Sequence, residues 1–398
     1  MNILRITTRI YPDIGGPAKQ AYLISKYFAK NHHKVIIISC SPNKNYYKKR
    51  VKINDNFLIF YLPLMAPGYN ASIMKHVMFF LKFFILGFLK ALIVVKKFKI
   101  QVIHCHSPPP TGFISFFISK IFKIPYIYSI HGLDYPNRYI FLMDMKLIAK
   151  NASKLITVSK AIKDFVESRF NIKNALQFPN LIDLHSYNNN LVANKSALIK
   201  KVGLESIISE DDFIIIYVGH MILSQKVKGM LDFIEGFSRF LSNIKDDKEK
   251  KRIKLLFAGD GLLSFKLKEK IKEKKLEENV FLLGKRKDIK NLLKLSELLG
   301  LTSYVEGFPN VILEASASKV PCLATNVGEI KKILGNNGFI INPGDIKDIN
   351  NKIEQYYHLS PKERDKLKEK LFERVKNLYD VNVGGKEILN LYKNVSLK

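Results

Sequence analysis

The feature that most constrains this chain is a repeated alternation of short β-branched apolar runs with longer amphipathic stretches. Residues 3–6, 35–39, 57–61, 102–104, 126–129 and 155–158 are too short for helices and apolar on both faces. That is the pattern of strands in a parallel sheet covered on both sides. Helical periodicity fills the gaps at 19–30, 73–97, 113–121, 143–151 and 161–169. A second series follows, with strands expected at 213–218, 254–258, 280–283, 298–301, 322–325 and 339–341. Its helices are expected at 230–241, 265–274, 289–294 and 311–318. The polar stretch 184–201 between the series reads as a linker. With 398 residues, the chain suits two domains of roughly 150–200 residues. The expectation is an α/β protein of two Rossmann-like, doubly wound parallel-sheet domains, 1–185 and 186–375, facing a central cleft. Residues 376–398 are expected to form a helix returning to the first domain. Ligands of such sheets gather at the carboxyl ends of the strands.

The net charge of +30 is uneven. Residues 1–190 carry 27 Lys and Arg against 7 Asp and Glu, whereas 191–398 carry 38 against 28. A basic half attracts polyanions: nucleic acid, an anionic membrane or phosphorylated substrates. Lysine-rich codon usage accounts for part of the total and less of the asymmetry. Nucleic-acid readers interleave basic residues with exposed aromatics, but here the aromatics lie mostly in apolar runs. Cys40, Cys105 and Cys322 are far apart, in no metal or disulfide spacing, which suits a reducing compartment. The start MNILRITTRIYP reads as a first strand and not as a signal peptide. A cytoplasmic protein is expected.

The apolar stretch 73–95 is interrupted by Lys75, Lys82 and Lys90, and its longest uncharged central piece is 83–89. A membrane span takes ~20 apolar residues. At 100° per residue, Lys75, Lys82, Lys90 and Lys97 fall within one arc of about 80°. Two readings stand: a helix packed on the sheet with its lysines in water, or a helix lying at a membrane surface.

Several loops after expected strands can carry chemistry. In the first half, Gly15-Gly16 in YPDIGGPA lets backbone approach a ligand beside a helix start. The loop does not match GxGxxG, which argues against a dinucleotide oxidoreductase. His104 and His106 point the same way on a strand, with no partnering carboxylate or cysteine to suggest a metal. His131 follows the strand at 126–129, where it can hydrogen-bond a substrate or move a proton. In the second half, Gly219-His220 ends a strand, and Lys228-Gly229 is expected to open the next helix. A lysine there adds to the positive helix end and suits an anion. Gly259-Asp260-Gly261 is turn chemistry, and in the similar loop Gly284-Lys285-Arg286 backbone groups can read a flat base.

The most specific stretch is Glu306-Gly-Phe-Pro-Asn-Val-Ile-Leu-Glu314. Pro309 favours a helix start nearby, which would turn the amides of Phe308, Pro309, Asn310 and Val311 (proline excepted) towards an anion such as a diphosphate. Glu306 precedes the helix and can accept hydrogen bonds from sugar hydroxyls. Glu314, more than one turn in, can hold a ribose diol, since a carboxylate accepts two such bonds side by side.

The segment EGFPNVILEA resembles the E-x7-E motif of the family 4 retaining glycosyltransferases, which have the GT-B fold. The resemblance extends over GGPAKQAYLISKYFAKNHHKVIII, VIHCHS, SIHGLD, ITVSKAI, FPNLID, IIIYVGH with KG, LLFAGDG, VFLLGKRKDI and PCLATNVGEI, in that order. It implies that Gly16 approaches the donor phosphates, His131 faces the transferred sugar and Lys228 neutralises the leaving diphosphate. Glu306 would hold sugar hydroxyls, Phe308 to Val311 would supply amides and Glu314 would grip the ribose. Arg286 would lie at the nucleotide. Transfer would retain anomeric configuration and require no metal or other cofactor; no D-x-D motif is present. The family usually carries arginine after the glycine at 219, where this chain has His220. A neutral histidine stabilises a diphosphate less than arginine, so either Lys226 supplies the second charge or the site is weakened. The implied activity is hexose transfer from a nucleotide-diphosphate sugar, UDP-sugar favoured. The implied acceptor is a lipid-linked molecule or glycan in cell-surface polysaccharide synthesis, with the basic half resting against an anionic membrane and no nucleic-acid partner. A nucleotide-sugar epimerase or hydrolase on the same architecture, and a non-enzymatic polyanion binder, remain as alternatives.

Overall fold

Isoleucine and valine runs extend readily because their branched side chains pack on a pleated surface, and here they build two separate sheets. The computed structural model describes residues 1–10, 15–68, 71–106, 110–132, 142–188 and 194–397. Residues Met1–Leu181 with Asp380–Lys398 form one unit and Ile182–Tyr379 the other.

The first unit holds strands β1 (Asn2–Ile6), β2 (Lys34–Cys40), β3 (Arg50–Asn54), β4 (Phe57–Leu62), β5 (Val102–His106), β6 (Tyr126–Ile130), β7 (Lys154–Thr157) and β8 (Ala175–Gln177). They run in the order β3-β4-β2-β1-β5-β6-β7-β8. Every pairing is parallel except β3 with β4. Ile3, Val35, Ile37, Ile59 and Val102 face a core shared with the helices Gly16–Lys30 and Val381–Ser396. Phe28 meets Tyr392 edge to face there, with ring centres 5.0 Å apart. Alternate strand residues point the other way, towards the helices Ile73–Phe98 and Thr111–Phe122. A Cβ on Gly87 would lie 2.8 Å from Ile114 and 3.7 Å from Leu62, so glycine lets the long helix sit this low.

The second unit holds β9 (Phe213–Val218), β10 (Ile253–Ala258), β11 (Val280–Leu282), β12 (Leu298–Leu301), β13 (Cys322–Thr325) and β14 (Phe339–Ile341). Their order is β11-β10-β9-β12-β13-β14, parallel throughout. The chain leaves this unit through the helix Pro361–Tyr379. Asp380 then caps the helix Val381–Ser396, accepting from the Asn382 amide at 2.7 Å.

Three sequence expectations change. The stretch 184–201 is not a plain linker: Leu184–Asn188 and Lys195–Val202 are helical, and residues 189–193 lie outside the described residues. Asn194 caps the second of these helices on the Ala197 amide. The helix expected from 230 begins at Ser224, so Lys228 stands within it and not at its mouth. The helix Ile73–Phe98 is long and apolar enough to cross a membrane by length and composition, with a best window of mean hydropathy 2.3. Yet it packs on the sheet through Phe83, Gly87, Ala91, Val94 and Val95.

Candidate active site

In the second unit the loops at the carboxyl ends of β9, β10, β12 and β13 are laced together by backbone. The Gly219 amide donates to the Ala258 carbonyl at 3.1 Å, and that of Met221 to the Asp260 carbonyl at 3.0 Å. Gly259 has φ +154, and a Cβ there would fall 1.8 Å from the Gly219 carbonyl oxygen, so only glycine fits. His220 is thereby held in a fixed, exposed loop. At Gly229 a Cβ would fall 2.0 Å from the Thr302 carbonyl oxygen. The Thr302 hydroxyl donates to the Gly229 carbonyl at 2.6 Å. The first turns of the helix Ser224–Asn243 are thus pressed onto the loop that leaves β12.

That approach brings Lys226 to Glu306, Nζ to Oε1 at 2.9 Å. Two residues on, the Lys228 ammonium lies over the Tyr304 ring, 4.5 Å from its centre. The Tyr304 hydroxyl donates to the Asp232 carboxylate at 2.7 Å. Burial, then this bond, pushes the phenol up to about 12, so it stays a neutral platform for the lysine. Glu306 is steadied from behind: the Glu329 amide donates to the Gly307 carbonyl at 3.0 Å. Gly328 (φ +55) packs so close that a Cβ would lie 2.3 Å from the Glu306 carbonyl oxygen. The helix Asn310–Ala317 follows Pro309, and its first amides have no acceptor within the helix. Phe308 is buried against Tyr379, ring centres 5.6 Å apart. Asn310, Val311 and Glu314 are half-buried.

The Arg286 guanidinium is engaged by protein partners. Its Nε and Nη2 donate to the Asp288 carboxylate at 2.8 and 2.6 Å, and Nη2 also donates to the Val202 carbonyl at 2.7 Å. The guanidinium ties the loop after β11 to the helix Lys195–Val202. Bidentate pairing to a carboxylate is its preferred geometry, and the neighbouring aspartate takes it first.

In the first unit Gly16 opens the helix Gly16–Lys30 after Gly15, whose φ of +151 suits glycine. Residues 11–14 of that loop lie outside the described residues. Behind the carboxyl end of the sheet sits a buried chain of polar groups. Arg5 is fully buried on β1. Its Nη1 reaches His106 Nε2 at 3.1 Å and its Nη2 donates to the Tyr392 hydroxyl at 2.8 Å. His106 Nδ1 lies 2.9 Å from His131 Nε2. Tyr392 also meets His104 Nδ1, and His104 Nε2 lies 2.7 Å from the Ser129 hydroxyl. Both strand histidines thus spend their nitrogens on protein partners.

Donor counting fixes the protons. Arginine only donates, so His106 Nε2 accepts and a neutral His106 carries its proton on Nδ1. That proton goes to His131 Nε2, which leaves His131 protonated on Nδ1. Tyr392 accepts from Arg5 and still has a proton that it can donate to His104 Nδ1. Burial first, then the Arg5 charge, lowers His131 to about 4. Burial, Arg5 and neighbouring histidines hold His104 and His106 well below their ordinary value. All three are neutral at pH 7.

Comparison with known proteins decides what kind of enzyme this is. The model described as "Glycosyltransferase Family 4" matches residues 14–186, and "Glycosyl transferases group 1" matches 204–374. The chain belongs to the group 1, family 4 glycosyltransferases. It is 25% identical over 362 residues to N-acetyl-alpha-D-glucosaminyl L-malate synthase of Bacillus anthracis, spanning 86% of this chain and 84% of that one. It is 25% identical over 309 residues to the UDP-Gal:alpha-D-GlcNAc-diphosphoundecaprenol alpha-1,3-galactosyltransferase of Escherichia coli, covering 74% and 73%. Its fold matches that of Anabaena HepE solved with UDP, with a TM-score of 0.74 at 18% identity and 99% and 100% coverage. The fold of this glycosyltransferase is GT-B.

Within this glycosyltransferase, sequence reasoning missed five contributors. Arg5 and Tyr392 lie in runs that read as strand and terminal helix. Gly328 and Glu329 belong to the recognised NVGE segment, but their hold on Glu306 requires the fold. Tyr187 lies in the stretch read as linker. Its phenol is pushed up by burial and then by the charges of Glu314 and Asp183. Lys290 stands 5.2 Å over its ring.

Proposed function

We propose that this glycosyltransferase moves a hexose from a nucleotide-diphosphate sugar, UDP-sugar favoured, to a lipid-linked or glycan acceptor in cell-surface polysaccharide synthesis. The observation that carries the reading is the convergence of Lys226, Lys228 and Glu306. On the first turns of one helix, the Lys226 ammonium meets the Glu306 carboxylate at the edge of another helix N-terminus, and the Lys228 ammonium lies over the neighbouring Tyr304 ring. A diphosphate fits the cations, and a sugar hydroxyl fits the carboxylate. Lys226 supplies the charge that His220 lacks, and Glu314 takes the ribose. Gly16 is assigned to the donor phosphates and His131 to the transferred sugar.

Transfer proceeds with retention and without a metal. The leaving diphosphate is neutralised by Lys226, Lys228 and the amides at Phe308 to Val311, and its own oxygen takes the acceptor proton as the glycosidic bond forms. Electrostatic stabilisation of a leaving group is worth more in such a preorganised site than in water. The names of relatives agree with a nucleotide-sugar donor: one bound UDP, and one is described as using UDP-Gal and a diphosphoundecaprenol acceptor. Three buried free thiols suit the reducing, cytoplasmic side of a membrane.

A thermal-shift screen with UDP-, GDP- and ADP-sugars tests the donor. The true donor at a hundredfold excess over its Kd adds ~2.7 kcal/mol of stability; no shift with any of them refutes the reading. Rapid conversion of donor alone to free or epimerised sugar would instead favour a hydrolase or epimerase.

A further inference from the structure

We propose that the outer face of the helix Ile73–Phe98, with the neighbouring end of Thr111–Phe122, is a docking surface for an anionic lipid bilayer, on which the helix lies flat. This deepens the proposed function, because it gives a lipid-linked acceptor a surface from which to reach the enzyme.

The long helix has three kinds of side. One is buried on the sheet through Phe83, Gly87, Ala91, Val94 and Val95. Next to it, Phe80 and Phe84 pack on Phe113 and Phe117 of the shorter helix, with ring centres 5.7 and 6.0 Å apart. The third side should be polar in a protein surrounded only by water, and it is not. Leu81, Ile85, Leu89 and Ile93 are 49, 55, 53 and 59% exposed, and Met74, Val77 and Met78 join them at the amino end. At about 100° per residue these seven fall in an arc of about 160°. Phe117 and Ile121, 42 and 56% exposed, continue the patch across the aromatic seam. Scattered exposed apolar residues need no explanation, but a continuous run of this kind marks an interaction site.

Charge decides between partners. From residue 56 to residue 133 the chain contains no Asp or Glu and eight lysines: Lys75, Lys82, Lys90, Lys96, Lys97, Lys99, Lys120 and Lys123. Lys75, Lys82, Lys90 and Lys97 line one flank of the apolar stripe, where long side chains can reach headgroups while the stripe enters the acyl boundary. A second copy of the chain would set these lysines against each other. An anionic leaflet sets them against opposite charge and strengthens binding by roughly fivefold per lysine near the surface. The opposite side of the helix is fixed to the sheet by residues that are essentially fully buried. Spanning would strip those contacts, so the helix lies in the interface.

The test is co-sedimentation with phosphatidylcholine vesicles, with and without phosphatidylglycerol, in the absence of donor and acceptor. Its outcome is therefore independent of the thermal-shift test of the donor. The full chain is expected to bind the anionic vesicles, to release in high salt, and to be extracted at alkaline pH as a peripheral protein. The exposed substitutions Ile85→Glu with Leu89→Glu should weaken partition at least tenfold while leaving the melting temperature unchanged. Lys82→Ser with Lys90→Ser should weaken binding to the anionic vesicles by roughly twentyfold or more and lower its salt dependence. Three outcomes would overturn the proposal: a wild-type chain that stays in the supernatant, a double glutamate variant that binds as tightly as wild type, or a dimer in ultracentrifugation that the glutamates dissociate while vesicles have no effect.

Discussion

Replacing Arg5 with methionine separates the stability of the first unit from its chemistry. Arg5 is fully buried, its Nε has no partner, and among the described residues no carboxylate pairs with its charge. The substitution removes two hydrogen bonds from a charged donor, to His106 and Tyr392, worth about 1.5–3 kcal/mol each. It also removes the cost of holding an ion away from water, several kcal/mol even after relaxation. These terms nearly cancel, so the unit should change in stability by less than ~2 kcal/mol. For a unit of this size that is a shift of a few degrees in Tm, at about 2–4 °C per kcal/mol.

The chemistry should respond differently. Without an obligatory donor at His106 Nε2, the His106–His131 pair is free to reverse. A share of molecules would then present an acceptor at His131 Nδ1 where the wild type presents N–H. Losing one well-placed donor costs up to ~10²–10³ in rate, and partial loss through a tautomer mixture should cost about ten- to a hundredfold. Long-range ¹H–¹⁵N spectra of histidine-labelled protein read the tautomers directly, and donor turnover reads the consequence. A wild-type His131 bearing its proton on Nε2 would refute the argument at its root. Unchanged turnover in Arg5→Met would show that the tautomer does not matter to transfer.

The same histidines predict acid sensitivity. His104, His106 and His131 are held below their unfolded pKa, His131 at about 4. Their contribution is complete above about pH 6.5 and is lost as pH falls towards 4, with a slope of up to about 4 kcal/mol per pH unit for three protons. A denaturation midpoint for the first unit that is flat from pH 7 to 5 would contradict this. At the donor side, Glu306→Ala and Lys228→Ala should each abolish most transfer in a folded protein: the partly exposed Lys226–Glu306 pair contributes only about 0–1 kcal/mol to stability, and Lys228 rests on the Tyr304 ring at the surface. Full activity in either would contradict the assignment, and Lys226→Ala should match Lys228→Ala if Lys226 stands in for the missing arginine. Gly229→Ala should cost about 1–3 kcal/mol through its clash with the Thr302 carbonyl, whereas Gly68→Ala, in open space, should be neutral by calorimetry.

What could be read from the sequence follows from where each signal resides. The central strands were legible because burial on both faces writes a continuous Ile-Val run; Phe213–Val218 and Leu298–Leu301 were bounded to the residue. The edge strands Arg50–Asn54 and Ala175–Gln177 were not, since an exposed or very short strand has no such run. The helix Pro361–Tyr379 carries its start signal in the sequence. Ser360 and Glu363 form a capping box, with the Ser360 amide and hydroxyl donating to the Glu363 carboxylate. The start at Ser224 was hidden because the Leu223 cap position contributes no side-chain bond.

The site divides on the same physical line. Glu306, Lys228 and His131 are carried by local motifs and could be named in advance. The Lys226–Glu306 pair, the Tyr304 platform and the relay from Arg5 through His106 join residues 80, 76 and 101 positions apart or on different strands, and no local pattern encodes them. One consequence reaches beyond recognition. The motif residues supply chemistry, but the protonation of His131 is set by an arginine on the first strand, and that arginine is held in turn by a tyrosine on the last helix. Removing the helix Val381–Ser396 should therefore cost the first unit more than its core contacts. With Tyr392 gone, Arg5 Nη2 loses its acceptor, and a buried cation left short of partners destabilises the relay that His131 depends on.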